Sequence, residues 1–189
     1  MKTIRLIIRS LAAALLVSGC LIRSVHPWLS AETRVDEPTL LGTWHTAVEN
    51  KVLFIGGSPE GYRLMLTDGD TVSRFTATLH RIGETLLLVA GPDEVEGLAL
   101  VPGYLLLRAD LRDDTLTLFT PDLETFDDRA IKANLSLLPG GSQSDGYLLT
   151  GTTLDAEAFV RAQIDDPSFF STKPAYSFRK LPTAPPPAE

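Results

Sequence analysis

Cys20 is the only thiol in the 189-residue chain, so the chain forms no disulfide within itself. Its chemistry is that of a lone nucleophile, and the small residues Ser18 and Gly19 directly precede it. The other reactive side chains are scattered. His26, His45 and His80 form neither an H-E-x-x-H nor an H-x-H pair, so a zinc site would need unconnected ligands. The expectation is therefore no metal and no cofactor. Gly57-Ser58-Pro59 lacks the glycine spacing of a nucleophile elbow, and Pro59 has no N–H to place in an oxyanion hole. Gly56-Gly57-Ser58 and Gly140-Gly141-Ser142 are followed by no lysine at phosphate-loop spacing, and both read as turns. Asp113-Asp114, Asp127-Asp128 and Asp165-Asp166 fall at expected turns or helix edges and read as solvated acids. A glycosidase needs two carboxylates roughly 5 to 9.5 Å apart across a cleft, which adjacency in sequence does not supply. No catalytic set emerges.

The surroundings of Cys20 are more specific. Lys2, Arg5 and Arg9 give a basic start without acids, Leu11–Val17 is apolar, and small residues lead to the cysteine. That is the layout of a secretory signal over residues 1–19. The uncharged run from Ser10 to Ile22 is shorter than the roughly 18–20 residues that span a bilayer as a helix. Val17-Ser18-Gly19-Cys20 resembles the lipobox of bacterial lipoproteins, in which an aliphatic and two small residues precede the modified cysteine. The resemblance implies cleavage between Gly19 and Cys20, a diacylglyceryl group on the Cys20 thiol and acylation of the new amine. Each buried methylene of such chains contributes about 0.8 kcal/mol, and two or more chains hold a protein at a membrane durably. Leu21 follows the cysteine where an Asp would signal retention, so by the same resemblance the destination is the outer membrane, facing the periplasm.

The signal takes three of the 17 bases and none of the 24 acids, which leaves 14 bases against 24 acids in the remainder. A body that acidic repels phosphate backbones, so nucleic acid is excluded as a partner. Residues 20–39 show no sustained period and read as a lipidated tether, with a reach of about 25 Å if flexible. Residues 40–181 read as a single domain, and the proline-rich residues 182–189 as an extended tail.

Within the domain, a period of two recurs. Tyr62, Leu64 and Leu66 alternate with Arg63, Met65 and Thr67, and Phe75, Ala77 and Leu79 with Arg74, Thr76, Thr78 and His80. Leu105, Leu107, Ala109 and Leu111 oppose Arg108 and Asp110. Asp68-Gly69, Gly83-Glu84 and Asp113-Asp114 supply tight turns. Leu86–Val89 is apolar on both faces and predicts a strand covered on both sides. Two short helices interrupt the strands. Thr152 caps one, with Asp155 at its third position and a stripe of Ala156, Phe159, Val160 and Ile164, closed by Pro167. Pro121 opens the other, which carries Leu123, Phe126, Ala130 and Ala133. A last strand runs over Ala175–Leu181. The expected fold is mainly β: an antiparallel meander closing into a small barrel, with two short helices before the last strand.

Gly42-Thr43-Trp44 resembles the Gly-x-Trp signature of lipocalins and related calycin barrels. The resemblance implies that Trp44 plugs one barrel end and that an arginine near the last strand, Arg179 by position, packs over it. Gly42, Trp44 and Arg179 are thus the candidate residues for barrel closure or a ligand pocket. The whole chain is similar to envelope lipoproteins with lipocalin-like barrels, a likeness that assigns no activity. Three functions follow in order: a lipid-anchored, non-enzymatic interaction or assembly module with an envelope protein as partner, a binder of an apolar or amphipathic ligand, and a hydrolase using scattered carboxylates.

Overall fold

Alternating apolar residues let a strand bury one face and wet the other, and tight two-residue turns join such strands into antiparallel hairpins. The computed structural model describes residues 22–46, 49–93, 103–139 and 146–182. The signal peptide, Gly19, Cys20, Gly140-Gly141-Ser142 and the tail beyond Pro182 lie outside the described residues.

The strands are β1 (Arg23–Ser24), β2 (Gly42–His45), β3 (Val52–Ser58), β4 (Gly61–Asp68), β5 (Thr71–Ile82), β6 (Thr85–Pro92), β7 (Tyr104–Arg112), β8 (Thr115–Phe119), β9 (Leu137–Pro139), β10 (Tyr147–Leu149) and β11 (Tyr176–Lys180). Strands β2 to β8 form a meander, β11 pairs with both β8 and β2, and β6 pairs with β7. The result is a closed antiparallel barrel of eight strands, similar in form to a small calycin barrel. Two turns fall where the sequence places them, at Gly83-Glu84 and Asp113-Asp114, and the third lies one residue later than Asp68-Gly69, at Gly69-Asp70, because Asp68 still pairs with Thr71 at the end of β4. Asp113 takes a positive φ of 50°, which an Asp tolerates in a tight turn.

Gly56-Gly57-Ser58, read as a turn, is instead the end of β3, paired with Arg63, Tyr62 and Gly61. The bend lies after it, at Pro59-Glu60. Gly61 is the glycine that the geometry requires, since its φ is 139° and a Cβ would meet the Ala77 carbonyl oxygen at 2.4 Å.

Two cores share the barrel wall. Inside lie Trp44, Leu53, Ile55, Tyr62, Leu64, Ala77, Leu79, Leu88, Ala90, Leu107, Ala109, Leu116, Leu118 and Phe178. Outside, Leu87, Val89 and Leu106 of β6 and β7 are buried beneath a second layer. That layer contains helix α1 (Leu123–Lys132) and helix α2 (Thr153–Gln163). Edge-to-face rings run through it from Trp28 to Phe126, Phe159, Phe169 and Phe170, with centroids 4.8–6.1 Å apart. Thr152 and Asp155 form the expected reciprocal cap on α2. Helix α1 begins two residues later than the sequence implied. Asp122 is its N-cap, accepting from the Thr125 N–H at 3.1 Å, while Pro121 is bridged to Phe170.

The largest departure is at the N-terminal side. Residues 22–39 are not a free tether. β1 lies between β7 and β10, and Ile22, Trp28 and Leu29 belong to the outer core. The Trp28 indole N–H donates to the Tyr104 carbonyl at 2.8 Å, and the Ser30 N–H donates to the Glu157 carboxylate at 2.8 Å. The segment continues across one barrel end, where the 3-10 turn Pro38–Leu40 seats Leu40 in the interior core. Aperiodic sequence hid this because the segment follows the contours of other elements and makes little regular structure of its own. The packed domain therefore begins at Ile22 and not at residue 40.

Trp28→Ala should lower unfolding free energy by about 3–5 kcal/mol, the usual cost of truncating a buried aromatic. His26→Ala, at an exposed site of the same segment, should stay within about 0.5 kcal/mol. Urea unfolding measures both, and equal small losses would restore the tether.

Candidate functional site

Strand alternation decides what the barrel presents inward, and β11 carries the decisive column. Tyr176, Phe178 and Lys180 face one way, Ser177 and Arg179 the other. Tyr176 and Phe178 stack with centroids 5.6 Å apart. Lys180 is paired in register with Trp44 and places its ammonium 5.1 Å from the indole centroid. The same ammonium donates to the Thr39 carbonyl, so it ties the 3-10 turn to the last strand. Trp44 is fully buried and donates from Nε1 to the Leu40 carbonyl at 2.9 Å. Gly42, at φ 134°, gives Lys180 its path, since a Cβ there would stand 3.1 Å from Lys180 Cε.

The residue expected over Trp44 was Arg179. The structure places Arg179 on the exposed outer face, paired with His45 and Thr115. A shift of one residue along a strand moves a side chain to the other face, and the cation at the closed end is Lys180. Gly42 and Trp44 do meet there. His45 is on the outer face, as the inward Trp44 requires.

The opposite end of the column is also covered by a cation. Lys51 is buried, pairs with Glu49 at 2.7 Å and Asp68 at 3.4 Å, and lies 5.4 Å from the Tyr176 ring centroid. Burial alone would lower the Lys51 pKa. The hydrogen bond and charge of Glu49, with Tyr176 and Asp68 behind it, outweigh burial and raise it. Beneath Lys51 the half-buried Leu66, Phe75 and Tyr176 edge the interior core. Nothing in the sequence pattern singled Lys51 out, because its ion pairs join a loop residue to two different hairpins.

His80 is buried on the outer face of β5. Thr33 Oγ1 lies 2.8 Å from Nδ1 and Thr78 Oγ1 lies 2.7 Å from Nε2. Burial, reinforced by the Arg34 charge and opposed by Glu157, lowers its pKa to about 4. Two hydroxyls satisfy the ring, so it behaves as a neutral structural group.

Two of the three acid pairs are likewise engaged. Asp127 accepts from the Tyr147 hydroxyl at 2.9 Å, which raises the Tyr147 pKa. Asp166 accepts from Ser168 and Arg129, which hold its pKa down to about 2. Arg129 also donates to Gln163 and Ser168 and lines a groove of about 550 Å³ with Thr125, Asp128 and Lys132. The guanidinium is already occupied by its own fold, so the groove supplies no free anion-binding fork. Among the described residues, no group of three or more His, Cys, Asp or Glu side chains is arranged to hold a metal ion.

No protein-family model, curated protein or solved structure matches the chain.

Lys180→Met should cost roughly 1–2 kcal/mol by removing the cation–π contact and the tie to Thr39, and it should shift tryptophan emission. Arg179→Met should change stability by less than about 0.5 kcal/mol and leave emission alone. The reverse order would return the closing role to Arg179. A second expectation concerns pH. The folded pKa of His80 lies below its ordinary 6.5, so the unfolded chain takes up the proton first as pH falls. His80 therefore withdraws stability between about pH 6.5 and pH 4, on the order of 3 kcal/mol in all, and nothing further below that. Denaturation midpoints of wild type and His80→Gln across this range test it; parallel curves would show that His80 does not set the slope.

Proposed function

We propose that the chain is a lipid-anchored envelope lipoprotein whose barrel serves as a non-enzymatic interaction module. The observation that carries this is the filled interior. Trp44, Leu79, Leu116 and Phe178 are each at most 2% exposed, with Lys180 over one end of the column and Lys51 over the other. A barrel packed in this way works through its outside. β6 and β7 carry the outer layer, and across the barrel β2 and β3 leave their outer wall bare. On that wall Phe54 is 45% exposed, beside the half-exposed Met65 paired with it. Single exposed apolar residues are ordinary, but several side by side mark contact surfaces. The lipobox resemblance at Cys20 supplies the anchor, and Leu21 supports the outer membrane as its destination.

A second reading rests on Leu66, Phe75 and Tyr176 beneath Lys51. An amphipathic ligand with an acidic head would exchange for Glu49 or Asp68 at that ammonium and lay its apolar part on the three side chains.

Two measurements test the proposal. Metabolic labelling with a fatty acid should mark the wild type and leave Cys20→Ser unlabelled, because serine lacks the thiol nucleophile; equal labelling would refute lipidation at Cys20. A photo-crosslinking amino acid in place of Phe54 should repeatedly capture one envelope protein in the host membrane. Capture of bulk neighbours alone would sink the interaction module. Native mass spectrometry showing retained lipid, with tryptophan emission responding to added fatty acid, would favour the mouth as a ligand site instead.

A further inference from the structure

The three short strands outside the barrel form an extension of the β7 edge, in the order β9, β10, β1, β7. Register sorts their side chains onto two faces. Leu137, Leu149, Ser24 and Tyr104 form one row, which packs beneath the helices. Leu138, Leu148 and Arg23 form the row on the other face, which continues through Leu105, opposite Ala90, onto the inward face of the barrel wall. Leu138 and Leu148 belong to neither core, and Leu138 is 54% exposed. The chain's acids greatly outnumber its bases, yet along β9, β10, β1 and the first residues of β7, Tyr104–Leu106, the one charged side chain is Arg23.

The position of the anchor gives this face an occupant. Ile22 is fixed in the outer core, and only Leu21 separates it from Cys20. Two peptide units reach at most about 7 Å. Resting on the reading that Cys20 carries lipid, we infer that the Leu138–Leu148–Arg23 face is a membrane-docking surface that lies against the bilayer in which the anchor is inserted. With no slack, the body cannot stand off from the headgroups, and the face turned to them must be near Ile22. A face whose described residues are apolar and free of acids suits that place. Its leucines enter the headgroup boundary, and Arg23 donates to lipid phosphate as a charge-assisted fork.

The test uses the mature chain from Cys20, coupled through its single thiol to a maleimide-headgroup lipid in phosphatidylglycerol and phosphatidylethanolamine vesicles. It therefore proceeds whether or not cells acylate the cysteine. Leu138→Trp should lose emission to acyl-brominated lipid, relative to the unsubstituted chain with its own Trp28 and Trp44. Phe54→Trp, across the barrel, should not. Arg23→Glu and a Gly-Ser spacer of about ten residues, with a reach near 17 Å, inserted between Leu21 and Ile22, should each reduce the quenching of Leu138→Trp. Leu148→Trp serves in its place if Leu138→Trp does not fold. Equal quenching at both walls, no quenching at Leu138→Trp, or indifference to both Arg23→Glu and the spacer would overturn the docking face. Quenching on vesicles together with an unlabelled Cys20 in cells would instead refute the lipoprotein reading and leave the face standing as a membrane contact.

Discussion

Strand β6 and the first residues of β7, Tyr104–Leu107, are apolar on both faces, and that constraint organises the molecule. Leu88, Ala90, Leu107 and Ala109 point into the barrel, while Leu87, Val89 and Leu106 point out of it. Burying each large aliphatic side chain stabilises the fold by about 1.5–3 kcal/mol, so an uncovered outer row would forfeit several such contributions. Closing the barrel meets the inner demand and leaves the outer one standing. The long connection between β8 and β11 exists on this account. It leaves the barrel, lays α1 and α2 over Leu87, Val89 and Leu106, and returns through Phe169 and Phe170 to the last strand. Gly91 leaves room on the same outer face for its cross-strand neighbour, because a Cβ there would stand 2.6 Å from the Tyr104 ring.

The two helices do not complete that cover. Trp28 fills the remaining space and meets Phe126 edge to face at 6.1 Å, and the backbone around it follows of necessity. Buried polar groups then need partners, which accounts for the Tyr104 carbonyl on the Trp28 indole and the Glu157 carboxylate on the Ser30 N–H. Glu157 is further held by Arg161 one helical turn on, and the hydrogen bonds to Ser30 and Arg161 outweigh burial to lower its pKa. His80 belongs to the same arrangement. It sits on the nominally wet face of β5, but the 3-10 turn Ala31–Thr33 covers it and Thr33 supplies one of its two hydroxyl partners.

What the sequence made legible was whatever repeats locally. The period of two in β4, β5 and β7, the two-faced run in β6, the turn chemistry and the cap at Thr152 each depend on neighbours a few residues away. What it hid depends on residues far apart in the chain. β1 is only two residues long and gains its bonds from β7, about eighty residues away in the chain, and from the three-residue β10, farther still. Lys51 acquires meaning only when Glu49, Asp68 and Tyr176 converge. Arg179 illustrates a different failure. Tyr176 and Phe178 share a face, so period two continues to Lys180, and the preference for an arginine came from resemblance and not from the strand's own geometry.

The division of the wall into a covered side and a bare side also orders the molecule in space. In an eight-strand barrel, β2 and β3 stand across from β6 and β7, so Phe54 lies on the far side from the layer that fixes Ile22. The chain's entry point and its bare wall are therefore held on opposite sides by a packed interior that cannot shear without breaking the contacts of Trp44 and Phe178. A flexible tether between anchor and barrel would erase that relation, since the barrel would tumble about its attachment. Docking the segment against β7 preserves it. The burial of Trp28 thus does more than complete a core: under the proposed lipidation of Cys20, it turns the attachment at one residue into a fixed orientation for a wall on the other side of the domain.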